Sequence, residues 1–118
     1  MIQGLRRFHV GDRLSEMAIF NNTVYLAGQV AENLVDSVGD QTRQILVKID
    51  HLLKQAGTDK SKILSANIWL TDIKRFDEMN AAWDAWVSPG NTPARATVQA
   101  ALARPQYLVE IMVVAALD

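Results

Sequence analysis

The spacing of apolar residues changes period along the chain, and each change marks an element. Met17-Ala18-Ile19-Phe20 and Thr23-Val24-Tyr25-Leu26-Ala27 are short β-prone runs separated by Asn21-Asn22. Asparagine tolerates positive φ better than other non-glycine residues, so the pair predicts a two-residue primed turn closing a hairpin. Gly28-Gln29 ends the second run, where glycine permits a sharp turn or the close approach of another group. Ile45, Leu46, Ile49, Leu52, Leu53 and Ala56 then recur at helical spacing and predict a helix over 36–56 with one buried stripe. Gly57 is its expected stop.

Ile63 to Leu70 reads as a strand. A second helix is predicted over 73–87, capped by Thr71 or Asp72, with Phe76, Met79, Trp83 and Trp86 on one face. Pro89-Gly90-Asn91-Thr92-Pro93 breaks the chain. Strands over 94–101 and 107–117, joined through Arg104-Pro105, complete a β-β-α-β-α-β-β order. That order predicts an α+β sandwich: one mostly antiparallel sheet with two helices on one face. In the last strand Val109, Ile111 and Val113 alternate with Leu108, Met112 and Val114, so both faces read as buried. Two helices cover one face only, which leaves another subunit as the natural cover for the second.

Composition narrows the class. A chain of 118 residues, 49% hydrophobic and 21% charged, is expected to form a single domain over 1–118. It holds no cysteine, which excludes disulfides, zinc–thiolate sites and cysteine nucleophiles together. A net charge of −1 and no basic stripe argue against nucleic acid as a partner. The longest apolar run, Ile111 to Leu117, is far short of the roughly 20 residues of a membrane span. No signal peptide is read in Met1 to Val10, so a cytoplasmic location is expected. His9 and His51 belong to no close ligand cluster, and no metal is expected. Trp83 and Trp86 are read as core or interface residues.

Two side chains could carry chemistry. Alternation puts Arg95, Thr97 and Gln99 on one face of their strand, and Arg95 has only alanines beside it in sequence. Its planar fork fits a carboxylate bidentately; an exposed arginine or a structural salt bridge satisfies the same pattern. Glu110 is the one acid in the apolar run 108–117, where an ionised carboxylate is costly unless paired. On neighbouring strands of one hairpin the two would approach across the sheet, either as a site or as an inert ion pair.

The stretch Pro93-Ala94-Arg95-Ala96-Thr97-Val98-Gln99-Ala100, followed by Val109-Glu110-Ile111, resembles the C-terminal signature of the RidA (YjgF) family. Ala27-Gly28-Gln29, the Leu-x-x-Ala-Gly end of the first helix (Leu52 to Gly57) and Phe76-x-x-Met79-Asn80-x-x-Trp83 extend the likeness over nearly the whole chain, which is most similar to the short YoaB-like branch. The resemblance implies a chorismate-mutase-like α+β fold assembled as a homotrimeric barrel, with small imino or oxo acids bound in clefts between subunits. It implies hydrolysis of 2-aminoacrylate, 2-iminopropanoate and 2-iminobutanoate to 2-oxo acids and ammonia, without metal or organic cofactor. Arg95 matches the arginine that holds the substrate carboxylate, and Glu110 the acid that positions or activates water. Thr97 matches a position whose backbone helps place the substrate, and Gly28 a glycine lining the cleft. Leu14 or Ser15 stands where deaminase members often carry a cleft tyrosine. A trimer that captures a small carboxylate without turning it over, or that regulates a partner, is the alternative the same residues allow.

Overall fold

A computed structural model describes residues 4–118; residues 1–3, the beginning of the stretch in which no signal peptide is read, lie outside the described residues. Strands β1 (Arg6–Val10), β2 (Ser15–Phe20) and β3 (Thr23–Leu26) lead into helix α1 (Val38–Ala56). Strand β4 (Ile63–Leu70), helix α2 (Phe76–Trp86), and strands β5 (Ala94–Gln99) and β6 (Val109–Ala116) follow. The six strands form one sheet in the order β1-β2-β3-β6-β4-β5. Only β4 and β5 run parallel; every other adjacent pair is antiparallel. The mixed α+β architecture is the expected one.

The hairpin closes as the sequence requires. Asn21 and Asn22 both take positive φ, 52° and 59°, as a type I′ turn demands. Helix α1 begins two residues later than expected because Ser37, in extended backbone, accepts the Asp40 N–H at 3.1 Å and acts as N-cap. It ends at Gly57, which adopts a left-handed φ of 90°. Asp72 caps a short 3₁₀ turn, Ile73–Arg75, so the helix expected over 73–87 is that turn followed by a shorter α2.

The core lies between the sheet and the two helices. Ile45, Ile49 and Leu53 of α1 meet Val109, Ile111 and Val113 of β6, all at 1% exposure or less. Strand β6 sits between β3 and β4, which explains its apolar character on both faces. Its helix-facing residues are buried, whereas Glu110, Met112, Val114 and Ala116 on the other face are half-buried in the single chain.

Two expectations fail. Strand β1 is not foreseen: its polar residues, Arg6, Arg7 and His9, carry little periodic signal, and it pairs only as an edge. The expected β5–β6 hairpin does not exist. Because α2 carries the chain over the sheet, β5 returns parallel to β4 at the edge, and β6 inserts on the far side of β4.

Candidate functional site

Arg95 and Glu110 therefore do not meet within one chain. Arg95 is in register with Ala66, a fully buried residue of the helix-facing row, and Glu110 with Trp69 on the opposite face. Strand β4 lies between them. Sequence alternation assigns Arg95, Thr97 and Gln99 correctly to one face; the mistaken part is the neighbour of that face.

The surroundings of Arg95 are aromatic. Its guanidinium carbon lies 5.2 Å from the ring centre of Trp83 and 5.8 Å from that of Phe76, both on α2. It forms no salt bridge among the described residues. Gln99, on the same strand face, accepts the Ile73 N–H at 2.9 Å and ties β5 to the turn that precedes α2. Between them stands Thr97, whose hydroxyl is buried and has no hydrogen-bond partner among the described residues. Trp83 is a core residue, 5% exposed, and its ring centre lies 5.4 Å from that of Trp86. Of this pair, expected as core or interface, Trp83 belongs to the core and Trp86 is half-buried against it; the expectation omits the contact of Trp83 with Arg95.

Glu110 stands against Gly28. A Cβ built on Gly28 would overlap the Glu110 carboxylate and lie 3.2 Å from its Cγ, so only glycine leaves this acid its place. The approach is fixed by the next residue. Gln29 exchanges both backbone hydrogen bonds with Ile111, at 2.8 and 3.1 Å, and its buried amide donates to the carbonyl of Ala27 and to Glu16. No cation faces Glu110 among the described residues, and desolvation pushes its carboxyl above the usual carboxylate range.

Sequence reasoning names Gln29 only within the Ala27-Gly28-Gln29 segment and gives it no positioning role, and it passes over Gln41. Gln41 is fully buried; its amide nitrogen donates to the carbonyls of Val35 and Gln106, at 2.9 and 3.0 Å, and its oxygen accepts the Leu108 N–H at 3.0 Å. It thereby anchors the loop leading to β6 two residues before Glu110. Buried glutamine is unusual enough to be a signal, but nothing in the sequence says which glutamines are buried.

His9 and His51 are both exposed and hydrogen-bond the same residue, Gln55, from either side. No group of three or more metal-ligating side chains is assembled among the described residues. Among the described residues no helix is long and apolar enough to cross a membrane. A cavity of about 520 Å³ lined by His9, Glu16, Gln29, Lys48 and His51 and another of about 640 Å³ beside Thr71, Gln99 and Arg104 touch neither Arg95 nor Glu110.

The endoribonuclease L-PSP family profile matches residues 5–117. The RutC family protein YoaB of Escherichia coli is 50% identical over 104 residues, covering 88% of this chain and 90% of the relative. The chain belongs to the RidA (YjgF, RutC) family. A crystal structure of a YjgF family member from Neisseria meningitidis superposes with a TM-score of 0.95 at 43% identity, covering 98% of this chain and 96% of the other. A more distant family member, Reactive Intermediate Deaminase A of Arabidopsis thaliana chloroplasts, is 32% identical over 103 residues, 82% of this chain and 54% of the relative. The RidA resemblance drawn from Arg95, Glu110 and the Gly28 segment thus holds at the level of family and fold.

Proposed function

We propose that the protein hydrolyses short 2-imino and enamine acids to 2-oxo acids and ammonia, in sites shared between subunits of a homotrimer. The observation that supports this most is the separation of two uncompensated charges: an arginine without an acid and a carboxylate without a cation, on opposite sheet faces. Each lacks the partner that a bound imino acid and a second copy would supply. The open sheet face, with Tyr25 50% and Val98 51% exposed, is apolar enough to want such a copy.

In this reading Arg95 grips the substrate carboxylate bidentately and orients the imine carbon. Water adds to that carbon while Glu110 accepts its proton. The resulting carbinolamine takes that proton back from Glu110 on nitrogen, the C–N bond breaks with its electron pair leaving on ammonia, and the hydroxyl returns its own proton to Glu110 as its oxygen becomes the carbonyl of the 2-oxo acid. A protonated imine is already electrophilic, so no metal or organic cofactor is needed. A carboxyl whose proton affinity is raised by desolvation suits the shuttle.

The test generates 2-iminopropanoate in situ with an amino-acid oxidase and follows its decay with and without the purified protein. Faster decay is expected, together with a sedimenting mass near three chains. A monomer would overturn the shared site. A trimer that binds 2-oxo acids but leaves the decay unchanged would favour the alternative, capture or regulation without turnover; Arg95 serves both readings, but Glu110 has a task only in the first.

A further inference from the structure

Arg95 sits on an edge strand, and an arginine side chain free of partners samples many rotamers. Something must hold its guanidinium if it is to meet a ligand in one geometry. Among the described residues that support is not an acid: Glu78, the carboxylate of α2 nearest Phe76 that is hydrogen-bonded, serves Arg75 and the Gly39 N–H. It is the pair of rings at 5.2 and 5.8 Å. Phe76 and Trp83 are seven residues apart, two helical turns, and therefore present their rings on the same side of α2. The Gln99–Ile73 hydrogen bond at 2.9 Å keeps β5 in register with the start of that helix.

The choice of aromatic support matters chemically. A carboxylate partner would occupy the guanidinium fork and cancel its charge. Ring faces attract the cation through their quadrupole and take up none of its five N–H donors. We propose that Phe76 and Trp83 are positioning residues, an aromatic clamp that holds the Arg95 guanidinium while leaving its bidentate edge open to a small monocarboxylate. This rests on the reading of Arg95 as the carboxylate anchor. It also assigns a task to the Phe76-x-x-Met79-Asn80-x-x-Trp83 segment, which otherwise reads as plain core. A lysine in place of Arg95 would have no plane to lay between the rings.

The test uses the full-length protein, with 2-oxobutanoate as the probe and imine decay as the rate assay, in the wild type, Phe76→Leu, Phe76→Tyr and Trp83→Phe. Phe76 is only half-buried, so Phe76→Leu removes the ring with the least damage to packing. In the wild type the NMR signal of the Arg95 Nε–H should be displaced by ring currents and should shift again on adding 2-oxobutanoate. Phe76→Leu should lose part of the first displacement and bind the probe about 3- to 10-fold more weakly. The loss should fall on KM, since an anchor used equally in ground and transition states leaves kcat near its starting value. Phe76→Tyr and Trp83→Phe, which keep a ring, should restore binding. The clamp is overturned if Phe76→Leu binds 2-oxobutanoate like the wild type. It is equally overturned if binding and melting temperature fall together and Phe76→Tyr restores neither. If the wild type binds no 2-oxo acid, the anchor reading fails, and the clamp itself is then decided by whether the Arg95 ring-current displacement is present and depends on Phe76.

Discussion

The two halves of the candidate site are built by opposite means. On the β5 side a cation is held by large aromatic rings, 5.2 and 5.8 Å from the guanidinium carbon. On the β6 side an acid is accommodated by the absence of a side chain, since any Cβ on Gly28 would displace it. Neither device neutralises the charge it holds. An arginine and a glutamate two strands apart could easily have been placed face to face as an ion pair; the sheet puts them on opposite faces instead. The difference teaches that both groups keep their capacity for hydrogen bonding and charge pairing intact, at some cost in stability, and functional sites are where such costs are tolerated.

The β6 side carries the larger expected kinetic effect. Glu110→Gln keeps the shape of the side chain and removes the proton acceptor, so imine hydrolysis should fall by about 10²- to 10⁴-fold while 2-oxo acid binding persists. Equal loss of binding and rate would instead make Glu110 part of the carboxylate pocket and erase the division of labour. On the β5 side, losing the charge-assisted contact in Arg95→Ala removes ~1.5–3 kcal/mol, about one to two powers of ten in kcat/KM. Arg95→Lys should recover little of it. The Arg95→Ala protein should melt close to the parent, because among the described residues no acid is left unpaired by the change. An early-melting but active Arg95→Ala protein would reduce the arginine to a structural role.

The contrast between the halves also marks what the sequence could reveal. Local signals are legible: Asn21-Asn22 dictates its turn, Gly57 ends α1, and alternation places Arg95, Thr97 and Gln99 on one face, whereas the Ser37 cap that starts α1 is missed by two residues. Glu110 stands out because charge inside an apolar run is expensive anywhere. Pairing is not legible in the same way. Whether β5 joins β6 directly or returns beside β4 depends on how α2 packs, and both choices fit the same local propensities. The aromatic support of Arg95 and the Gln29 and Gln41 brackets are contacts between residues remote in sequence, and no periodicity announces them.

A smaller effect is expected at Gly28. In Gly28→Ala the new methyl group meets the flexible end of Glu110 rather than backbone, so the fold should persist and the carboxylate should rotate away. The rate should drop of order tenfold, below the ~10² that a rigid 1 Å misplacement can bring. Combining Gly28→Ala with Glu110→Gln should then cost little beyond Glu110→Gln alone, since both act on one group. Additive losses would show that Gly28 lines the cleft independently of Glu110.

The smallest expected effect is on stability, and it probes the isolation of Glu110 directly. Desolvation raises the carboxyl above its usual range, so the folded chain holds that proton more tightly than the unfolded chain does. The folded state then binds more protons between the unfolded and folded pKa values, and stability falls as pH rises through that window and levels off above it. Glu110→Gln cannot ionise. Its melting temperature should match the parent below the usual carboxylate range and exceed it slightly at neutral pH, as thermal unfolding across the acid range will read. The converse result, a Gln variant that is less stable at neutral pH, would mean that a cation stands beside Glu110 in the assembled protein. The two halves would then be an ion pair across the subunit boundary, and the separation of uncompensated charges would no longer distinguish them.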